Sequence, residues 1–429
     1  MARERERGGQ RRIRPTHFDF RKRMRAEVRT TQYLSHGIDR WPAKLIPQIA
    51  RYIVRTYSAE GDTVLDPFCG SGSILVEARL LGRDAIGIDV NPLATLYARV
   101  KARRYRRSEL ARAERLLWAK FERRKNDEPP PCTFPNHSLW FSRTALTELR
   151  QLRAAVEDCG REISGPERDF LLAALATIVR RCSRADPRGP KPFVSKRMRA
   201  NERRPCRPVP AFRAALGTIG RSLMEVAGEL ENVEAGRVRV ATRDARHVAR
   251  IVGEHKVELV ATSPPYINAQ DYFRSSKLEL WVLGLTNGKL AHDLGRQLIG
   301  SERVTSPEYA NRKVLGVESV DRTVKRLFRV CPRRAYIVAK YFSDMKDVLD
   351  QIAAMIVPGG ICCLVVGGSN ICGVHIRTHA HLLTLARSAA FTPEAVLVDT
   401  IKARHVPPQR NHNRGMIRTE RVLVLRRDA

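Results

Sequence analysis

The sequence predicts an α/β protein: a doubly wound, mostly parallel sheet interrupted by a large helical insertion. Three observations carry that expectation. A short apolar run, TVLD (63–66), precedes a glycine-bearing turn, a helical stretch and a second apolar run, DAIGID (84–89), and this is the strand–helix–strand unit of a parallel sheet. Strand-like runs return at RVRVAT (237–242), VELVAT (257–262) and ICCLVVG (361–367). Between them, 101–235 shows helical periodicity and no convincing strand run.

Taken in order, residues 1–30 hold eleven basic side chains against four acidic ones and read as a basic arm. A solvated or disordered segment fits that composition as well as a polyanion contact does. A helix is expected over 42–56, where Leu45, Ile49, Ile53 and Val54 share a face, closed by Gly61-Asp62. Helix 74–82 links the first two strands, and another follows Asn91-Pro92. Inside the insertion, Phe212, Leu216, Ile219, Leu223, Val226 and Leu230 mark an amphipathic helix ended by Gly236. Its proline-rich stretch 180–207 carries eleven basic residues against two acidic ones and reads as a basic loop. A polar segment is expected to about 332, then a helix over 334–360 closed by Pro358-Gly359-Gly360. Helix 377–390 and strands 394–400 and 420–426 finish the chain, the strands joined by a basic loop over 402–418.

The 429 residues carry 78 Lys and Arg against 45 Asp and Glu, a formal charge of +33, which suits a polyanionic partner. Nucleic acid is the expectation, with Arg188, Lys191, Lys196 and Arg197 in the first basic loop and Arg404, Arg410 and Arg414 in the second as candidate contacts. No apolar run approaches the roughly 18–20 residues that span a bilayer, so no membrane partner is expected and the location is read as cytoplasmic, at the nucleoid. Nine cysteines without a Cys-x-x-Cys pair argue against disulfides and a zinc ribbon. Cys372, His375, His379 and His381 have near-ligand spacing, with His375 and His379 on one helical face, but in an unfamiliar order, and no metal is assigned.

Two motifs carry the chemistry. Asp66-Pro67-Phe68-Cys69-Gly70-Ser71-Gly72 follows a strand where open α/β sheets bind ligands. Leu75 stands where a dinucleotide fingerprint needs its third glycine, and no Gly-Lys-Ser/Thr follows to make a phosphate loop. Asp89, ending the second strand 19 residues after Gly70, is placed to accept both hydroxyls of a ribose. An adenosine compound without a pyrophosphate fits, and S-adenosyl-L-methionine is the common one. The second motif is Ser263-Pro264-Pro265-Tyr266, a rigid corner after the VELVAT strand. Its hydroxyl and carbonyl are acceptors suited to an exocyclic NH2, and Tyr266 offers a face on which a base stacks.

With these residues the sequence resembles the amino-group DNA methyltransferases, the cytosine-N4 and adenine-N6 enzymes, over about 31–100 and 237–426. The resemblance implies a Rossmann-like fold of the class I S-adenosylmethionine-dependent type, with 31–100 and 237–429 as catalytic domain and 101–236 as a helical, basic insertion. Target recognition is the role considered for that insertion, although relatives place their recognition region elsewhere. DPFCGSGS, with Asp66, Phe68, Gly70 and Gly72, looks like the cofactor loop, and GIDVNP (87–92), with Asp89, like the ribose strand. His36 and WPAKL (41–45), with Lys44, look like the segment that contacts the methionine end of the cofactor, and Asp244 matches a position near its adenine. TSPPY (262–266) is similar to the catalytic motif in its serine form, associated mainly with cytosine N4. The implied activity is site-specific methylation of a flipped cytosine at N4, with a cognate restriction endonuclease as a partner the resemblance allows. DNA adenine-N6 and RNA guanine-N2 transfer are the alternatives on the same fold. A cytosine-C5 mechanism is disfavoured, because Cys132 and Cys206 follow prolines but close no strand.

Overall fold

The structure, a computed structural model, describes residues 13–131, 134–189, 191–200, 205–234, 236–267, 272–287, 295–401 and 418–429. Its centre is an eight-stranded sheet. In chain order the strands are β1 (Thr16–His17), β2 (Thr63–Asp66), β3 (Asp84–Asp89), β4 (Val238–Thr242), β5 (Val257–Thr262), β6 (Ile356–Gly367), β9 (Phe391–Thr400) and β10 (Thr419–Arg427), while β7 (Ser369–Ile371) and β8 (Val374–Ile376) form a separate hairpin. The spatial order is β1-β9-β10-β6-β5-β2-β3-β4. Only β10 runs antiparallel to its neighbours, β6 and β9. This is a doubly wound, Rossmann-like sheet, as the sequence predicts.

Burial on both faces explains the apolar runs. Along β2, Val64 faces a core layer containing Ile49, Ile53 and Ile74, and Leu65 faces the opposite layer containing Val338, Phe342 and Leu349. The alternation recurs in β6, where Cys363 and Val365 join the first layer and Cys362, Leu364 and Val366 the second. A strand covered by helices on both faces needs apolar side chains at every position, so periodicity 2 disappears from its sequence.

Between helix Pro92–Ala102 and β4 the described residues hold helices Arg107–Arg123, His137–Trp140, Arg143–Cys159, Gly165–Val179, Lys196–Arg199 and Pro208–Glu229, and no strand. All but the short helix Lys196–Arg199 share one core, with Leu117, Leu149, Phe170 and Phe212 buried beside Leu96 and Val100 of the preceding helix. Leu278 and Leu280, from helix Lys277–Val282 beyond the SPPY corner, enter the same core. The insertion is therefore docked on the sheet's helical layer.

Five local expectations are corrected. The first long helix is Pro47–Tyr57, not 42–56, with Pro47 pre-set in its first turn and residues 42–46 left outside it. The helix expected to 360 stops at Met355, because Ile356 already pairs with Val257 and the register shifts before Leu259 meets Ile361. The polar segment before 332 contains helix Glu318–Phe328, which buries Val320, Val324 and Leu327. His375 lies in β8 rather than on a helix, since the helix starts at Thr378. Residues 13–30, taken with the basic arm, are packed: β1 pairs in parallel with β9, and Phe20, Met24 and Val28 are buried.

Candidate active site

The sheet's winding reverses between β2 and β5: from β2 the chain proceeds outward through β3 and β4, from β5 through β6. Loops at the carboxyl ends of such neighbours diverge and leave a crevice. A pocket lies there, walled by the glycine loop, Asp89, Asn91, Asp244, Ser263 and Pro265, among others. Two distant sequence motifs thus meet at one cavity.

Asp89 shapes the loop. The Gly70 amide donates to its Oδ2 at 3.0 Å and the Asn91 amide to its Oδ1 at 2.8 Å. Each oxygen keeps a lone-pair direction for a ligand hydroxyl, the geometry a vicinal diol needs. Burial pushes its pKa up to about 6. Asp66 is pushed up to about 7, again chiefly by burial, and its Oδ1 accepts from the Thr262 hydroxyl at 2.5 Å and the Phe68 amide at 3.1 Å. Asp66 therefore ties the glycine loop to the residue just before Ser263. Asp66→Asn retains an oxygen for both donors, whereas Asp66→Ala leaves two buried donors unpaired. A loss of about 1–3 kcal/mol is expected in urea unfolding for the alanine variant and much less for Asn.

The two glycines differ in purpose. Gly70 has φ +50°, and a Cβ there would lie 3.2 Å from Trp41 Nε1 in the pocket wall. Gly72 is not part of that wall; at φ +85° its Cβ would come within 2.9 Å of Ala98 Cα. It lets helix Ser73–Leu80 approach helix Pro92–Ala102, a packing role for this glycine. Gly72→Ala should therefore lower stability by at least about 1–2 kcal/mol, the left-handed penalty alone, with a falling urea midpoint as the readout.

Lys44 reaches the wall, held by the carbonyls of His36 at 2.6 Å and Asp39 at 3.2 Å. Burial and the nearby Lys101 ammonium push its pKa down to about 8. Lys101, fully buried, pairs with Asp39 at 2.8 Å. The His36 side chain is corrected from the expected cofactor contact: it is buried behind the wall, with Nε2 2.8 Å from Glu77 Oε1, and burial lowers its pKa. Asp244, on the opposite wall, accepts from the Arg246 amide and guanidinium; burial opposes ionisation, yet Arg246 holds it below the usual carboxylate range. Phe68 supplies apolar wall.

At the SPPY corner the Ser263 hydroxyl donates to the Val365 carbonyl at 3.2 Å. Pro265 lines the pocket beside it, while Pro264 and Tyr266 lie outside the wall. The Tyr266 hydroxyl donates to Glu420 Oε1 at 2.6 Å, which fixes the ring against β10, and burial raises the Glu420 pKa.

Residues 15–98 match the N6/N4 family of DNA methylases. That match covers the glycine loop and the strand ending in Asp89. It is 41% identical over 70 residues to the type II methyltransferase M.MjaII of Methanocaldococcus jannaschii, covering 16% of this chain and 13% of that one. With the type II methyltransferase M.BsoBI of Geobacillus stearothermophilus it shares 25% over 263 residues, 54% of this chain and 49% of the relative. A tRNA (guanine(10)-N2)-dimethyltransferase of M. jannaschii is 47% identical over 51 residues, 12% and 14% of the two chains. The chain thus spans less than half the length of each of these relatives.

The match to DNA methylases supports S-adenosyl-L-methionine as cofactor, and the pocket's donor set fits it. Asp89 offers the diol acceptors, Lys44 a cation for a carboxylate, and Phe68 and Ile299 apolar surface. Ser73 Oγ, buried in the wall at the start of helix Ser73–Leu80, has no hydrogen-bond partner among the described residues. A buried hydroxyl left without a partner implies a polar ligand or water beside it.

The candidate nucleic-acid contacts divide. Arg188 pairs with Asp186 at 2.6 Å and keeps its side chain 65% exposed. Lys196 and Arg197 are exposed on the short helix Lys196–Arg199, and Lys191 is half-buried. Arg404, Arg410 and Arg414 lie outside the described residues. Sequence reasoning missed Gln297, Leu298 and Ile299, which close the pocket from the segment read as merely polar, and Glu420, which anchors Tyr266. Nothing in their local pattern marks them, because their roles arise from tertiary placement.

Proposed function

We propose that this chain transfers a methyl group from S-adenosyl-L-methionine to the exocyclic amine of a base in DNA, and that the base is cytosine, modified at N4. The observation that carries the reading is the Ser263 hydroxyl: its proton is committed to Val365, so Oγ offers lone pairs in the same wall as Asp89 and Ser73. An amine donates; a hydroxyl so committed accepts.

When bound, the sulfonium supplies an electrophilic methyl carbon and its own leaving group. The chain's residues position the nucleophile. Asp89 and Lys44 hold the cofactor's two ends, while Ser263 Oγ and the Pro264 carbonyl accept from the base amine and aim its nitrogen. Tyr266, its hydroxyl tethered to Glu420, supplies the stacking face. Such orientation lowers a barrier by about 7–11 kcal/mol at its most effective. The amine lone pair would form the N–C bond as the C–S bond breaks to leave a neutral thioether, and the cationic amine would then give its proton to water, so no strong base is required at the amine. A duplex base reaches this site only when flipped, at a few kcal/mol that stacking and amine hydrogen bonds offset.

Serine at 263, rather than an acidic residue or Asn, supports cytosine over adenine. The match to a tRNA guanine-N2 enzyme supports a second reading, RNA methylation, confined to 12% of this chain. The test incubates the protein with the cofactor and either unmethylated DNA or tRNA, then identifies methylated nucleosides by mass spectrometry. N4-methylcytosine from DNA is expected; N6-methyladenine overturns the base, and product from tRNA alone overturns the DNA substrate. A companion endonuclease cutting the same site unmethylated belongs to the proposal. Among the described residues no helix is long and apolar enough to cross a membrane.

A further inference from the structure

We propose that Phe193 is a base-stacking contact, on which an unstacked base of the DNA substrate lies while the cations of the same loop meet its phosphates. The inference rests on the DNA reading above and adds a residue outside both motifs. Among the described residues only Leu139, Phe193, Val314 and Val330 are large exposed hydrophobics; one of the four lies in the basic loop and a second in a short helix that the loop contacts. Phe193 is 45% exposed between Arg188 and Lys196, and Leu139 is 43% exposed beside Ser138, whose carbonyl accepts from Arg184 Nη1 at 2.8 Å. A loop that merely keeps its charges in water has no use for an exposed aromatic ring. A surface that binds bases as well as phosphates does.

The ring is held in place. The Asp186 amide donates to the Phe193 carbonyl at 2.8 Å, closing the loop. A Cβ at Gly189 would lie 2.4 Å from Phe193 Cε1, so the ring rests on a bare glycine and leaves its remaining surface to solvent. Arg180 Nη2 donates to the Gly189 carbonyl and ties this platform to the end of helix Gly165–Val179.

Contacts lead from the loop to the pocket. The Arg184 amide donates to the Trp140 carbonyl at 2.7 Å, and Lys277 Nζ sits 4.1 Å from the centre of the Trp140 ring. Lys277 follows Ser276, whose hydroxyl accepts from Asn91 Nδ2 at 3.3 Å in the pocket wall. The loop is therefore joined to the pocket wall through these contacts, so a DNA strand held on it and a base held in the pocket engage one continuous body of the protein.

The test uses the full chain and a fluorescein-labelled oligothymidylate, with affinity read by anisotropy across a salt series. Phe193→Ala should weaken binding about tenfold with the salt slope unchanged, since a stack carries no charge, and Phe193→Trp should restore it. Lys196→Gln should instead lower the slope by about one unit. Cofactor binding stays at the wild-type level in all three, which shows that they fold. Wild-type affinity in Phe193→Ala, or a change in slope alone, overturns the stacking role and leaves the methyl-transfer reading standing. A wild-type protein that binds tRNA and no DNA overturns both.

Discussion

Asp89→Ala should abolish S-adenosylmethionine binding, measured by titration calorimetry with the cofactor or with S-adenosylhomocysteine. Hydrogen bonds to a charged acceptor contribute about 1.5–3 kcal/mol each, so losing two costs about 3–6 kcal/mol, roughly a hundred- to ten-thousandfold in affinity. The variant also frees the Gly70 and Asn91 amides that shape the loop. Asp89→Asn keeps one oxygen and should fall between the two. Wild-type affinity in the alanine variant would place the ribose elsewhere.

The same carboxylate makes binding depend on pH. Its folded pKa, about 6, stands above the unfolded value of about 4. Its contribution to stability is therefore fully present below about pH 4 and is lost as pH rises through about 6. Asp66, at about 7, adds a loss of the same sign. Two ligand hydroxyls favour the ionised form of Asp89, so cofactor affinity should fall as pH drops below about 6. The thermal stabilisation that saturating cofactor gives should accordingly increase from about pH 5 to neutrality. An increment independent of pH would remove the diol role from Asp89.

What was legible in the sequence follows from what is local. β2, β3 and β5 announce themselves because double-sided burial makes their central residues mostly apolar, and the loop after β2 carries its glycines in a fixed order. Register is not local: the start of β6 at Ile356 depends on its partner Val257, so a sequence with good helical residues to Met355 gives no sign of the change. Function by residue type misleads in the same way. His36 stands in a motif position, yet its side chain is sealed against Glu77, and the close approach of Gly72 to Ala98 depends on a helix crossing that the motif does not record. Gln297 and Ile299 come into the pocket from a segment with no motif.

Ser263→Ala and Tyr266→Ala are expected to lose methyl transfer while binding cofactor normally, which separates them from Asp89→Ala. Removing Oγ deletes one acceptor that orients the amine in the transition state. A preorganised polar contact of this kind is worth about 10²–10³ in rate, so single-turnover transfer by Ser263→Ala should fall by that order. Threonine keeps the oxygen and should recover part of the rate if its methyl group fits beside Pro265. For Tyr266 the ring and the hydroxyl act differently. Alanine removes a stack worth about 1–3 kcal/mol, a loss of roughly five- to a hundredfold. Phenylalanine removes only the bond to Glu420, leaving a ring that is less firmly held but still able to stack, and should retain most of the transfer. Equal loss in both variants would mean that the hydroxyl, through Glu420, is what positions the corner. Wild-type transfer by Tyr266→Ala would mean that the base stacks elsewhere, and transfer by Ser263→Ala at the wild-type rate would move the amine acceptor to the Pro264 carbonyl alone.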